Sequence, residues 1–196
     1  LARLGPLVET DAAVRARGLR GIGERRNATT DEQRTLGAAL ADGEAEVRRA
    51  AAWSAGQLGE GAATLVPALV RALRDTDHSV RGLAALALRD AGPASGAALD
   101  PLVAALNDPD AGVRMMSAQA IASLGPTAAR ALDALVAACR RKDEHVHVQR
   151  SLADALGAMG PAARAALPEL RALAAIPRVR WAAEAAIKRV SRRPEP

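Results

Sequence analysis

Phenylalanine and tyrosine are absent from this chain, and tryptophan occurs only at Trp53 and Trp181. Large rings dominate the energetics of most compact cores. A chain that is 49% apolar yet 1% aromatic must build its interior from Ala, Leu and Val, which suits closely stacked helices. Cysteine occurs once, at Cys139, which excludes a disulfide framework and fits a reducing compartment. No apolar run reaches the roughly 18 residues that a membrane span needs. No basic segment precedes a long apolar one, so no secretory leader is seen. A cytoplasmic location is the expectation. The chain begins at Leu1 without Met, as an excerpt or a processed form would, and export stays open on that ground.

Lysine is nearly missing as well. Of 27 basic residues only Lys142 and Lys188 are lysines, and this skew, with so much alanine, reads as the codon bias of a GC-rich, bacterial genome. The net charge of +5 is therefore a weak statement about partners. Charged residues make up 25% of the 196, which rules against a disordered tail.

What is present is a repeat. The segments DGEAEVRRAAAWSAGQLG (42–59), DTDHSVRGLAALALRDAG (75–92) and DPDAGVRMMSAQAIASLG (108–125) align on a Val-Arg pair. Carried along the chain, the valines are Val14, Val47, Val80, Val113, Val148 and Val179, at intervals of 33, 33, 33, 35 and 31. Twelve residues after four of them stand Gly59, Gly92, Gly125 and Gly160, three followed by proline, which is how a helix stops and the next segment begins. Between valine and glycine the period is helical: Val113, Ser117, Ala120, Ile121 and Leu124 share one face. Upstream, Leu65, Leu69, Val70 and Leu73, or Leu99, Leu102, Val103 and Leu106, mark a second amphipathic helix. Each unit is thus a first helix, a short turn, a second helix and a Gly-Pro break. Neither helix buries its apolar face alone, so neighbouring units must stack.

The acids before each valine have structural roles in this scheme. Asp11, Glu44, Asp77 and Asp110 stand three residues ahead of it, placed to cap or favourably charge the second helix. Glu9, Asp42, Asp75, Asp108 and Asp143 stand six ahead of Arg15, Arg48, Arg81, Arg114 and Gln149. A carboxylate at each turn and an arginine at each helix start can pair within and between units as a ladder of charge-assisted hydrogen bonds. Its expected central members are Asp42, Arg48, Asp75, Arg81, Asp108 and Arg114. Thr30 to Gln33 reads as a capping box.

This D-x-(D/E)-x-x-V-R-x-x-A pattern, with its paired helices and period of 31–35 residues, resembles HEAT repeats, especially the short bacterial form found in phycobilin-lyase-type proteins. The resemblance implies an all-α, right-handed solenoid of about six helix pairs, an armadillo-like superhelix. It also implies that Asp and Arg six apart form the ladder, and that the first helix often carries a proline, as Pro67, Pro101 and Pro168 do. Units fall at about residues 1–26, 30–59, 62–92, 95–125, 128–160 and 163–191, with 192–196 as a tail. Unit five has two extra residues and Gln149 in place of arginine. Unit six has a shorter turn containing Pro177 and no ladder acid.

Catalytic patterns are missing. The ladder recurs at every turn, which marks architecture and not one active centre. His145 and His147 are two apart, and on a helix they would point about 200° apart, so no chelating pair is expected. Cys139 stands where Leu73 and Leu106 stand in other units and reads as core. Gly18, Gly21 and Gly23 follow no strand, so they are not a dinucleotide loop. No enzyme, metal or cofactor is expected.

The remaining reading is a scaffold that docks a peptide or a partner domain along the face of its second helices, itself a monomer unless its open ends stack. Offsets 2, 6, 9 and 13 from the valine point away from the core. They select Arg49, Trp53, Leu86, Arg89, Met115, Gln119, Arg150 and Trp181, with Asp154 and Lys188 beside them. Both tryptophans fall on this stripe. Units about 9–10 Å apart would separate them by some ~40 Å, too far for one small-molecule pocket. The alternative partner is nucleic acid, held by Arg25-Arg26, Arg140-Arg141-Lys142 and Arg189 to Arg193, as in HEAT-like DNA glycosylases. Those clusters lie mostly at turns and the terminus. An accessory-subunit role like that of the phycobilin lyases rests on analogy of fold alone.

Overall fold

A computed structural model describes residues 11–141 and 143–192. Its described residues form eleven α-helices and four 3-10 segments, with no strand. Contacts divide the chain into two compact units, the first ending at Ala98 and the second beginning at Leu99. In the first unit the helices are α1 (Ala12–Glu24), α2 (Thr30–Ala39), α3 (Ala45–Gln57), α4 (Val66–Ala72) and α5 (His78–Asp90). The second holds α6 (Leu99–Ala105), α7 (Ala111–Ser123), α8 (Leu132–Cys139), α9 (Val146–Ala158), α10 (Leu167–Ala174) and α11 (Arg180–Val190). Helices α1, α3 and α5 form one row, and α7, α9 and α11 another; the shorter helices pack against these rows. The first helix of the first pair and Glu9 lie outside the described residues.

Local chemistry sets the element ends. Asp77 and Asp110 each accept the backbone N–H of the valine three residues on, at 3.0 Å, and Asp11 accepts those of Ala13 and Val14. Glu44 holds the same position but makes no side-chain cap bond, since its extra methylene carries the carboxylate past the N–H groups. The capping box sits one residue earlier than the sequence suggested: the Thr29 hydroxyl accepts from Glu32, and the Glu32 carboxylate accepts from the Thr29 N–H. At the far ends Gly59, Gly92, Gly125 and Gly160 adopt φ of +56° to +62°, which only glycine takes without strain. Each then opens a seven-residue 3-10 segment before the short α-helix starts. The first helix of these pairs is therefore half 3-10, not the continuous α-helix its apolar spacing implied. Pro67 and Pro168 sit in the first α-helical turn, where a missing N–H costs nothing.

Small residues bring the long helices together. A Cβ on Gly23 would lie 2.8 Å from the Ser54 Cα, and one on Gly157 would lie 2.9 Å from the Ala186 Cα. Backbone thus approaches backbone, and the buried Ser54 hydroxyl donates to the Leu19 carbonyl at 2.8 Å across the same seam. Leu19, Leu36, Leu69 and Leu88 fill the first unit's core, and Leu102, Ile121, Leu135, Leu152, Leu156, Met159 and Leu170 the second's.

The turns are tied by arginine. Arg15 reaches Asp42 with Nε at 3.2 Å and Nη2 at 3.0 Å; Arg48 reaches Asp75 at 2.6 and 2.9 Å. In the second unit Arg114 reaches Glu144 at 2.9 and 2.6 Å. The remaining Nη1 donates backward to the carbonyls of its own turn: Arg48 to Asp42 and Gly43, Arg81 to Asp75 and Thr76, Arg114 to Asp108 and Pro109. Each of these three arginines thus bonds the backbone of the acid six residues before it; where the carboxylate partner is seen, it belongs to the following turn. The acid of that turn also accepts an N–H of its own loop, as Asp42, Asp75 and Asp108 do from the residue two on. Asp143 is exposed and is not the rung predicted for unit five. Glu144 replaces it, because the two inserted residues shift the turn and the longer side chain spans the difference. Arg180 keeps only the backward half, donating to the Ala174 carbonyl six residues before it.

Burial alone would raise the carboxylates of Asp42, Asp75 and Glu144, but loop N–H groups and the arginines outweigh it and hold all three below their ordinary range. The Glu144 side chain is only 2% exposed. Arg114→Ala leaves that charge with Arg141 at 3.4 Å as its remaining cation and should cost about 1–3 kcal/mol. Arg130→Ala removes an exposed pair with Asp100 and should cost under ~0.5 kcal/mol. Thermal melts followed by circular dichroism separate the two, and equal losses would contradict the ladder. Glycine provides a second contrast. Gly157→Ala drives a Cβ into the Ala186 backbone and should lower the melting temperature, whereas Gly21→Ala, with nothing within 4 Å, should raise stability by about 0.5–1 kcal/mol.

Candidate functional site

In the first unit the predicted surface residues are only partly open. Arg49 is exposed but makes a bidentate pair with Asp77 at 3.1 and 2.7 Å. That bond is the main reason the Asp77 carboxyl is lowered to about 2. Arg49 therefore also secures the residue that caps α5. Trp53 and Leu86 are half-buried, each at offset 6 on its helix. Arg89 is half-buried and donates to Asp90 at 2.9 Å. Offset 9 is not a free surface position between long helices: Gly23, Gly56 and Gly157 occupy it, and it faces the next helix. Leu83 and Met116, at offset 3, are half-exposed beside the stripe and were not selected from the sequence.

In the second unit Met115 and Gln119 on α7 are half-buried, and the Gln119 amide donates to Ser151 on α9 at 3.4 Å. The α9–α11 pair is more open. The Arg150 guanidinium carbon lies 4.5 Å from the Trp181 ring centre, and Trp181 is 56% exposed. Asp154, one turn along α9, has its carboxylate 3.9 Å from Arg150. Burial raises Asp154 against the opposing pull of Arg150 and Arg189. The Arg189 guanidinium lies 3.6 Å from where a Gly157 Cβ would stand, so it too rests against α9. Lys188 is exposed beside it. The sequence reading placed Arg189 in the nucleic-acid alternative and not on the docking stripe, because it sits at offset 10; the lack of any side chain on Gly157 was the available signal for its place against α9.

Other reactive groups have structural surroundings. Burial pushes the Cys139 thiol up to about 12, with Glu169 adding to the effect, so it stays protonated at neutral pH. His145 and His147 do not diverge as helical residues would. His145 is the extended-backbone cap of α9, its Nδ1 accepts the His147 N–H at 3.3 Å, and the rings stack with centroids 5.2 Å apart. No group of three or more metal-ligating side chains is found among the described residues. No helix among them is long and apolar enough to cross a membrane.

Several arginines considered for phosphate binding have internal partners. Arg25 pairs with Glu32 and donates to the Gly21 carbonyl at 2.9 Å. Arg140 holds Glu169 at 2.6 Å, and Arg141 donates to the Leu106 carbonyl at 2.7 Å and to Asn107. Lys142 and Arg193 lie outside the described residues.

Comparison with known proteins places these features in a wider group. No curated protein matches the chain in sequence. Among solved structures it is similar to an engineered protein, at a TM-score of 0.76 and 21% identity, covering 97% of this chain and 99% of that one. It is similar to a designed armadillo repeat protein in complex with the peptide (KR)4, at a TM-score of 0.72 and 20% identity, with 95% and 97% coverage. It also resembles the CpcE–CpcF complex of phycocyanin lyase from Nostoc sp. PCC7120, at a TM-score of 0.69 and 29% identity, with 86% and 68% coverage. The family model for HEAT repeats matches residues 2–89, 34–118, 66–144 and 99–188 in overlapping register. With paired helices, a glycine stop and an arginine-tied turn in successive units, the chain belongs to the HEAT-repeat family.

Proposed function

We propose that this protein is a non-catalytic interaction scaffold, binding an extended peptide or a partner domain along the solvent side of its long helices. HEAT and armadillo repeats generally serve as protein-binding scaffolds, and this chain shares their fold. The observation that carries the reading is the position of both tryptophans. In a chain without Phe or Tyr, the two aromatic residues lie on the long helices and outside the buried core, Trp53 half-open and Trp181 56% exposed. Trp, Met and Arg are the residues that anchor protein interfaces. In the first unit Arg49, Leu86 and Arg89 flank Trp53, and in the second Met115, Gln119 and Arg150 accompany Trp181. Nucleic acid is the weaker partner, because Arg25, Arg140 and Arg141 are engaged within the fold.

A random peptide library displayed on phage and selected on the whole protein tests this. Selected peptides should bind about tenfold more weakly to Trp53→Ala and Met115→Ala, with unchanged helicity and melting. Arg34→Ala, on the exposed side of α2, should leave binding intact. Normal binding by both interface variants would place the site on another face.

A further inference from the structure

Within the second unit, the α9–α11 face is distinct in the state of its cations. Arg48, Arg49 and Arg114 are all held by carboxylates in bidentate geometry. Arg150 and Arg189 are not. Arg150 meets Asp154 only at 3.9 Å, beyond hydrogen-bond reach, and Arg189 makes no side-chain hydrogen bond among the described residues. Lys188 is exposed and likewise without an acceptor. Two guanidinium groups therefore present donors to water beside the half-buried carboxylate of Asp154, and the Lys188 ammonium is exposed one residue before Arg189 on α11.

The groups are also held in place. Arg150 rests on the indole of Trp181 at 4.5 Å, and Arg189 rests on α9 where Gly157 leaves room. Stacking restricts the guanidinium before a ligand arrives, which reduces the ordering cost of binding. With Trp181 56% exposed, much of the indole remains open for an apolar contact.

We propose that Arg150, Arg189 and Lys188 with Trp181 form a docking site for an acidic peptide segment, whose carboxylates meet the cations and whose apolar side chain lies on the indole. This rests on the scaffold reading and adds the chemical class of the ligand. Planar guanidinium groups suit carboxylates through paired hydrogen bonds. Asp154 sits between the two arginines and acts as an internal competitor that a ligand carboxylate must displace. A nucleic-acid strand is disfavoured because the site offers only Trp181 as a ring on which to stack a base. Charge complementarity points to a partner opposite in sign to the (KR)4 peptide bound by the designed armadillo relative.

Fluorescence anisotropy of labelled probes on the whole protein tests this, using an acidic octapeptide of Asp and Glu with one central leucine, the peptide (KR)4 and the oligonucleotide dT8. Tryptophan emission of the unmodified protein, with Trp181→Phe as the control in which the shift disappears, reports the same binding. The acidic peptide should bind and shift Trp181 emission. Its Kd should rise at least about tenfold in Arg150→Gln and in Arg189→Gln, and fall about threefold or more in Asp154→Asn. These positions are exposed or half-exposed, so circular dichroism should be unchanged. Tighter binding of (KR)4, weakened by Asp154→Asn, would overturn the proposal, and so would dT8 binding as tightly as the acidic peptide. Library peptides that depend on Trp53 and Met115 yet respond to none of the Arg150, Arg189 and Asp154 variants would overturn the acidic class alone and leave the scaffold standing. Loss of every peptide, from the library and the defined probes alike, would remove both.

Discussion

One side chain per turn carries the connection between successive repeats. An arginine near the start of a long helix donates backward to the carbonyls of its own loop, as Arg48, Arg81 and Arg114 do, and at Arg15, Arg48 and Arg114 forward to the carboxylate of the next; α9, with Gln149 at this place, is the exception. The guanidinium suits this because its donors point in fixed, diverging directions, whereas a lysine ammonium could not hold both partners in plane. Loop carbonyls and a half-buried acid are satisfied together, and no buried side-chain polar atom among the described residues lacks a partner. The nearly complete choice of arginine over lysine has a codon origin in part, but at these positions it also has a physical one.

The close approach of the long helices follows from the other recurrent feature, small residues at their contacts. Glycine or alanine at the seam lets backbones come near enough that no large ring fits between them, and alanine-rich interiors result. Such a core needs no phenylalanine. It also leaves Trp53 half-buried and Trp181 exposed, both outside the packed interior. Along the long helices, inward offsets thus carry small and aliphatic residues, and outward ones carry Trp, Met, Leu and Arg.

Much of this was legible in the sequence, because a period of 33 residues repeats every signal several times. The paired helices, the glycine stops and the Asp–Arg ladder were readable as residue patterns. Details that depend on one loop's length were not. Asp143 has the right spacing, but two extra residues move Glu144 into the rung. His145 is the cap of α9 and does not lie within a helix, so the ~200° separation of two helical residues does not apply and the rings of His145 and His147 stack. The 3-10 start of each short helix leaves no mark on apolar spacing, since i, i+3 contacts serve both helix types. Offset 9 pointed away from its own helix's core on a wheel, yet a wheel carries no information about the adjacent helix that closes over Gly23 and Gly157. The candidate surface was accordingly legible as a set of residues and not as exposures: Arg150 and Trp181 are open, Trp53 and Leu86 are half-covered, and Arg189, read only as part of a basic cluster, joins the stripe through the contact at Gly157.

If the arginine rungs hold neighbouring turns together, the coupling between partners should be measurable and should titrate. Asp75 has a lowered carboxyl, so its contribution is present above the ordinary aspartate value near about 4 and is lost as pH falls through the lower folded value. A double-mutant cycle on Arg48→Gln and Asp75→Asn, by urea unfolding at pH 7 and near pH 2, reads that coupling directly. The ladder predicts about 1–3 kcal/mol at pH 7, shrinking toward zero in acid. Additive effects of the two substitutions at pH 7, or a coupling that acid leaves unchanged, would contradict it.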